Sequence, residues 1–110
     1  MNITVSMREQ IALVEVSGRI DSMNANQLGE ALSTEINTGH THMVLDLANV
    51  DYMSSAGLRE IVSALKKVRS STGDLRLAQP SSRVREVLEM AGLDTIFQIF
   101  GTQVEAVGSF

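Results

Sequence analysis

The chain has no cysteine and no tryptophan, one proline, one tyrosine and three phenylalanines among 110 residues. Without cysteine there is no disulfide, no thiol nucleophile and no thiolate-held zinc or iron–sulfur site. The net charge is −4, from 13 acidic against 9 basic residues. So few aromatic rings and this acidity leave neither the basic face nor the stacking platform that nucleic acid needs. The apolar runs are only a few residues long, too short to cross a bilayer, so no membrane insertion is expected. The start, Met1-Asn2-Ile3-Thr4-Val5-Ser6, has neither the basic region nor the apolar stretch of a signal peptide, and a cytoplasmic protein is expected. Phosphate-cradling Gly-x-x-x-x-Gly-Lys and Gly-x-Gly-x-x-Gly loops and a Gly-x-Ser-x-Gly elbow are also missing, which argues against a nucleotide enzyme or a serine hydrolase.

What remains is the composition of a globular domain, 44% apolar and 20% charged, at a length that suits a single domain over 1–110. Ile3, Val5 and Met7 alternate with polar residues, and Ile11 to Val16 is a second apolar run. With Arg8-Glu9-Gln10 between them, these predict a hairpin, followed by a loop over Gly18–Ser22. Asn24 is placed to cap a helix, with Gln27 completing a capping box and Met23 and Leu28 as a hydrophobic staple. Leu28, Ala31, Leu32 and Ile36 follow helical spacing, and Gly39 is a fitting terminator. Met43-Val44-Leu45-Asp46-Leu47 is nearly continuous apolar sequence, as in a strand covered on both faces. Leu58, Ile61, Val62, Leu65 and Val68 make the next helical stripe, with Lys66, Lys67 and Arg69 near its end. A strand over Leu75–Ala78, the single Pro80, and a helix capped by Ser81 or Ser82 and ended by Gly92 come next. Ile96–Phe100 predicts a last strand. Thr102–Val107 predicts a short helix anchored by Val104 and Val107. The order β-β-α-β-α-β-α-β-(α) is that of an α/β domain with helices packed on a mixed sheet.

Function concentrates in Asn49-Val50-Asp51-Tyr52-Met53-Ser54-Ser55-Ala56-Gly57-Leu58-Arg59-Glu60. This segment is expected to be a loop leaving the most buried strand, a usual place for binding sites in α/β folds. Ser54 and Ser55 precede a helix, and either one suits an N-cap. Ala56 and Gly57 are small and leave a serine hydroxyl open to a partner. Gly57 costs a helix about 1 kcal/mol against Ala, which calls for a packing or access reason. Asp21 in isolation is a turn or cap residue. Asp46 is expected half-buried near the site. His40 and His42 form a His-x-His pair without a visible third ligand, so no metal and no cofactor are expected.

The run Leu45-Asp46-Leu47, then Val50-Asp51-Tyr52-Met53-Ser54-Ser55-Ala56-Gly57-Leu58, resembles the signature of the STAS domain, and more narrowly that of bacterial anti-sigma factor antagonists. Gly18-Arg19-Ile20-Asp21 and Met90-Ala91-Gly92-Leu93 extend the resemblance over essentially the whole chain. It implies a single STAS-like domain that binds rather than catalyses. The implied partner is an anti-sigma factor that is also a serine kinase of the histidine-kinase-like ATPase type. That kinase phosphorylates one serine of the antagonist, and a PP2C-type phosphatase removes the phosphate. The implied acceptor is Ser55, with Ser54 as its rival. The implied binding surface is Asp21, Met53, Ser54, Ser55, Ala56, Gly57 and Leu58, on a chain expected to be a monomer when free. Familiar members carry Asp before the acceptor and often Ser or Thr after it, where this chain has Ser54 and Ala56. Other similar domains are subunits of lipid-transport or stress-signalling complexes, in which the same patch would be a constitutive interface.

Overall fold

The central strand is longer than its apolar run. In a computed structural model covering residues 1–110, β3 runs from His42 to Met53. It lies in the middle of a five-stranded sheet ordered β1-β2-β3-β4-β5. The hairpin strands β1 (Asn2–Arg8) and β2 (Ile11–Ile20) are antiparallel. β2, β3, β4 (Asp74–Ala78) and the two-residue β5 (Ile99–Phe100) are parallel. The helices are α1 (Ala25–Asn37), α2 (Ser55–Ser70), α3 (Ser82–Met90) and α4 (Gln103–Gly108).

Alternation along β3 sorts the core into two layers, since neighbouring side chains point to opposite faces. Met43, Leu45 and Leu47 join a large cluster with Leu28 and Leu32 of α1, Ile61 and Leu65 of α2, and Val84 and Leu88 of α3. Val44 faces the other way, with Leu13, Ala78 and Ala106, beneath α4. Ala106 is therefore the buried anchor of α4. Val104, expected in that role, is 82% exposed.

Two irregularities carry β3 beyond Leu47. Against β2, the pairings pass from Glu15 with Asp46 to Ser17 with Asn49, and from Gly18 with Val50 to Arg19 with Tyr52. Each step inserts one extra residue in β3, a bulge that shifts the side-chain parity. Leu47, Val50 and Met53 thus all reach the same core at a spacing of three. Gly18, with φ +95°, lets β2 bend in step. Gly18–Ile20 of the expected Gly18–Ser22 loop, and the first five residues of the segment expected as a loop from Asn49, are therefore strand, because a bulge breaks the period-two pattern without ending the strand.

Asp46 holds the first bulge. It is 6% exposed, the one buried charged side chain. Its Oδ1 accepts from the Ala48 backbone N–H at 2.9 Å. Its Oδ2 accepts from the side-chain amides of Gln79, at 2.9 Å, and Gln103. A single carboxylate thereby ties β3 to the end of β4 and the start of α4. It lies on the α4 face of the sheet, away from the serines.

Helix ends follow sequence rules in some places and tertiary contacts in others. Gly39 takes φ +91°, and the N–H groups of Gly39 and His40 close a Schellman motif on Ile36 and Glu35. α2 ends in the same way with Thr72 in the left-handed position, at φ +59°. Ser81, not Ser82, caps α3, and its hydroxyl also donates to the Val50 carbonyl at 2.8 Å. The expected Asn24 capping box and Met23–Leu28 staple do not form. The Asn24 side chain makes no cap bond, and Met23 is 88% exposed.

Replacing Asp46 by Ala strands three donors in a partly buried place. We expect a loss of about 2–4 kcal/mol, read from urea unfolding. Asp46→Asn, which keeps the size and one carbonyl acceptor, is expected to cost less than half as much.

Candidate functional site

The serine segment is a joint, not a loop. Met53 ends β3, Ser54 alone intervenes, and α2 begins at Ser55. The Ser54 N–H donates to the Ile20 carbonyl at 2.9 Å. That bond sets the start of α2 beside the end of β2, at the carboxyl edge of the parallel strands. The position is the expected one for a binding site in an open α/β sheet.

The two serines have different tasks. The Ser54 Oγ accepts from the Gly57 N–H at 3.2 Å and caps α2, with Ser54 itself in an extended conformation. Its carbonyl accepts from the Leu58 N–H at 3.1 Å. Ser54 is half-buried, whereas Ser55 is exposed at the first helical position. The hydroxyl facing solvent in the first turn is therefore that of Ser55.

Gly57 is buried for packing. A Cβ built there would lie 2.7 Å from the Cγ2 of Ile20 and 3.1 Å from the Cγ of Met53. The Ile20 methyl sits on a stiff β-branched side chain and cannot swing away freely. The glycine lets the first turn of α2 settle onto the ends of β2 and β3. Met53, 2% exposed, is part of that seat. Of the residues expected at the partner surface, Met53 and Gly57 lie under it, and Ala56 and Leu58 are half-buried at its margin.

Asp21 follows Ile20 and closes the adjacent turn. Its Oδ1 accepts from the N–H groups of Met23, at 3.0 Å, and Asn24, at 3.1 Å. Asn24 answers by accepting from the Asp21 N–H at 2.9 Å and donating to the Arg19 carbonyl at 2.8 Å. The Asp21 Oδ2 lies 3.6 Å from the Arg19 Nε. The Arg19 guanidinium sits 4.0 Å above the centre of the Tyr52 ring. Asp21 is thus both the turn residue its chemistry suggests and a neighbour of the serine joint. Arg19 and Tyr52 were not singled out in the sequence. They meet through the parallel register of β2 with β3, which no local pattern announces.

The two histidines lie apart from this joint. His40 pairs with Glu35 at 2.9 Å, and His42 packs edge-on against Phe110. No three His, Cys, Asp or Glu side chains converge to hold a metal ion. No helix is long and apolar enough to cross a membrane.

Gly57→Ala is expected to destabilise the fold by about 1–3 kcal/mol, because overpacking against Ile20 exceeds the gain in helix propensity. Gly29→Ala is the control. There a Cβ meets only the flexible side chain of Glu60, so thermal melts should show no loss.

Comparison with known proteins agrees with this geometry. The family model "STAS domain" matches residues 2–106. The anti-sigma factor antagonist BtrV of Bordetella bronchiseptica is 34% identical over 110 residues, spanning 100% of this chain and 95% of its own. The anti-sigma-B factor antagonist of Staphylococcus aureus is 29% identical over 106 residues, 96% of this chain and 98% of its own. The crystal structure of an anti-sigma factor antagonist from Thermotoga maritima superposes with a TM-score of 0.92 at 27% identity, covering 97% of this chain and 92% of that one. The five-stranded mixed sheet, the serine joint and these relatives agree: the chain belongs to the STAS domain family.

Proposed function

We propose that this protein is an anti-sigma factor antagonist that acts by switching partners, with Ser55 as its phosphorylation site. The names of its relatives support the antagonist role. One observation supports Ser55 over Ser54: the Ser54 hydroxyl is engaged in capping α2, and Ser55 is exposed beside it. The protein works by binding rather than by turnover. Its partner is an anti-sigma factor that is a serine kinase of the histidine-kinase-like ATPase type. A PP2C-type phosphatase restores the unmodified form.

The switch acts through local charge. The kinase transfers the terminal phosphoryl group of ATP to the Ser55 oxygen, whose proton passes to a base on the kinase. The modification adds about −1.5 to −2 charges. The fold tolerates this charge, because the first turn of a helix favours an anion. The interface does not. Unmodified, Ser55 is exposed at the start of α2, at the end of the sheet where the Ser54 N–H meets the Ile20 carbonyl and the Asp21 turn follows. A phosphate placed there must be desolvated against a closely fitting partner. Reversing a preference from 1:99 to 99:1 takes about 5.5 kcal/mol, and burial of an unpaired dianion is of the right order.

The test is affinity capture from the host followed by titration calorimetry with the captured kinase. Wild type and Ser55→Ala are expected to bind alike, and Ser55→Asp at least about tenfold more weakly, a change worth 1.4 kcal/mol. Equal binding of all three would contradict the switch and indicate a constitutive interface. Chemical denaturation separates the two serines. Ser54→Ala should lose about 1 kcal/mol with its cap, and Ser55→Ala should stay within about 0.5 kcal/mol of wild type.

A further inference from the structure

The sheet has one long open edge. β5, at one side, is only two residues long, whereas β1, at the other, has seven residues, Asn2–Arg8. β1 pairs with β2 without any register shift, and β2 is the only strand beside it. Natural edges are usually blunted by Pro, Lys, a bulge or short length. β1 has none of these, and Arg8 at its end is its only charged residue. Val5 and Met7 are 39% and 41% exposed. They share one face with Ile3, opposite Val14, Ala12 and Val16 of β2.

We propose that β1 is a self-association surface, and that its occupant is β1 of a second copy, paired antiparallel about a two-fold axis at Val5. The sequence of the strand is self-complementary in that register. Val5 faces Val5 of the second copy, Ile3 faces Met7, Thr4 faces Ser6, and Asn2 faces Arg8. All the apolar side chains then fall on one face in contact, as cross-strand pairing requires. No like charges oppose one another, whereas a parallel, in-register pairing would set Arg8 against Arg8. An interface of this kind is isologous and closes at two subunits. One strand pair falls below the roughly 1,200–2,000 Å² of a stable complex, so the association is weak, in the micromolar-to-millimolar range. The monomer expected from sequence becomes the dilute form of a monomer–dimer equilibrium. This inference does not depend on the role of Ser55.

Two measurements on the intact protein test it. Sedimentation velocity from micromolar to millimolar concentration should show a reversible dimer. Val5→Lys should weaken it at least about tenfold with an unchanged circular dichroism spectrum, while Met90→Lys, at the exposed end of α3, should leave it intact. Because the chain has no cysteine, single substitutions report the register by mild oxidation. Val5→Cys should cross-link to itself. Met7→Cys should not, but should cross-link when mixed with Ile3→Cys. A wild type that stays monomeric throughout would overturn the proposal. So would a dimer indifferent to Val5→Lys, or self-cross-linking of Met7→Cys as fast as that of Val5→Cys.

Discussion

The site depends on how closely the first turn of α2 rests on the ends of β2 and β3. The missing side chain of Gly57 allows that contact, since any Cβ would collide with Ile20. The Ser54 N–H then reaches the Ile20 carbonyl, and the Ser54 hydroxyl turns back to cap the helix. Each of these bonds satisfies a group that a buried helix start would otherwise leave unpaired. Together they decide which serine is structural and which faces solvent. The motif Ser-Ser-Ala-Gly is thus one piece of machinery. Its first residue anchors, its last permits contact, and its second is exposed to solvent.

Behind the joint stands a less obvious constraint. β3 can end at Met53, next to Ile20, only because it carries two more residues than β2 over the paired stretch. The first extra residue is secured by Asp46 through the Ala48 N–H and two glutamine amides. A charge buried in this way costs free energy unless its acceptor sites are filled, and here they are filled by groups from three elements. Asp46 thereby shapes the strand whose end presents the serines.

The sequence revealed most where physics is local. Helical spacing marked Leu28 and Leu32, and Ile61, Leu65 and Val68, as core positions, and all of them are buried. Gly39 and Gly92 announced helix ends through the left-handed backbone that glycine favours. The Ser54–Ser55 segment stood out through its small residues before an amphipathic stripe, and family resemblance singled out Asp21. What stayed hidden was set by contacts across the sheet. The bulges turned expected loops into strand. Asn24 was drawn away from its helix by Asp21 and the Arg19 carbonyl. Arg19 found Tyr52 through a register that only the folded sheet defines. The choice between the serines was also out of reach, because both residues suit a cap and only the backbone geometry shows which one serves.

The central claim is that capping occupies Ser54 and leaves Ser55 to receive the phosphate. The most direct measurement incubates the protein with its cognate anti-sigma factor kinase and ATP, then localises the phosphate by tandem mass spectrometry. The account predicts phosphate on Ser55 alone, with Ser54→Ala still modified at Ser55. Phosphate on Ser54 in the wild-type protein would contradict it.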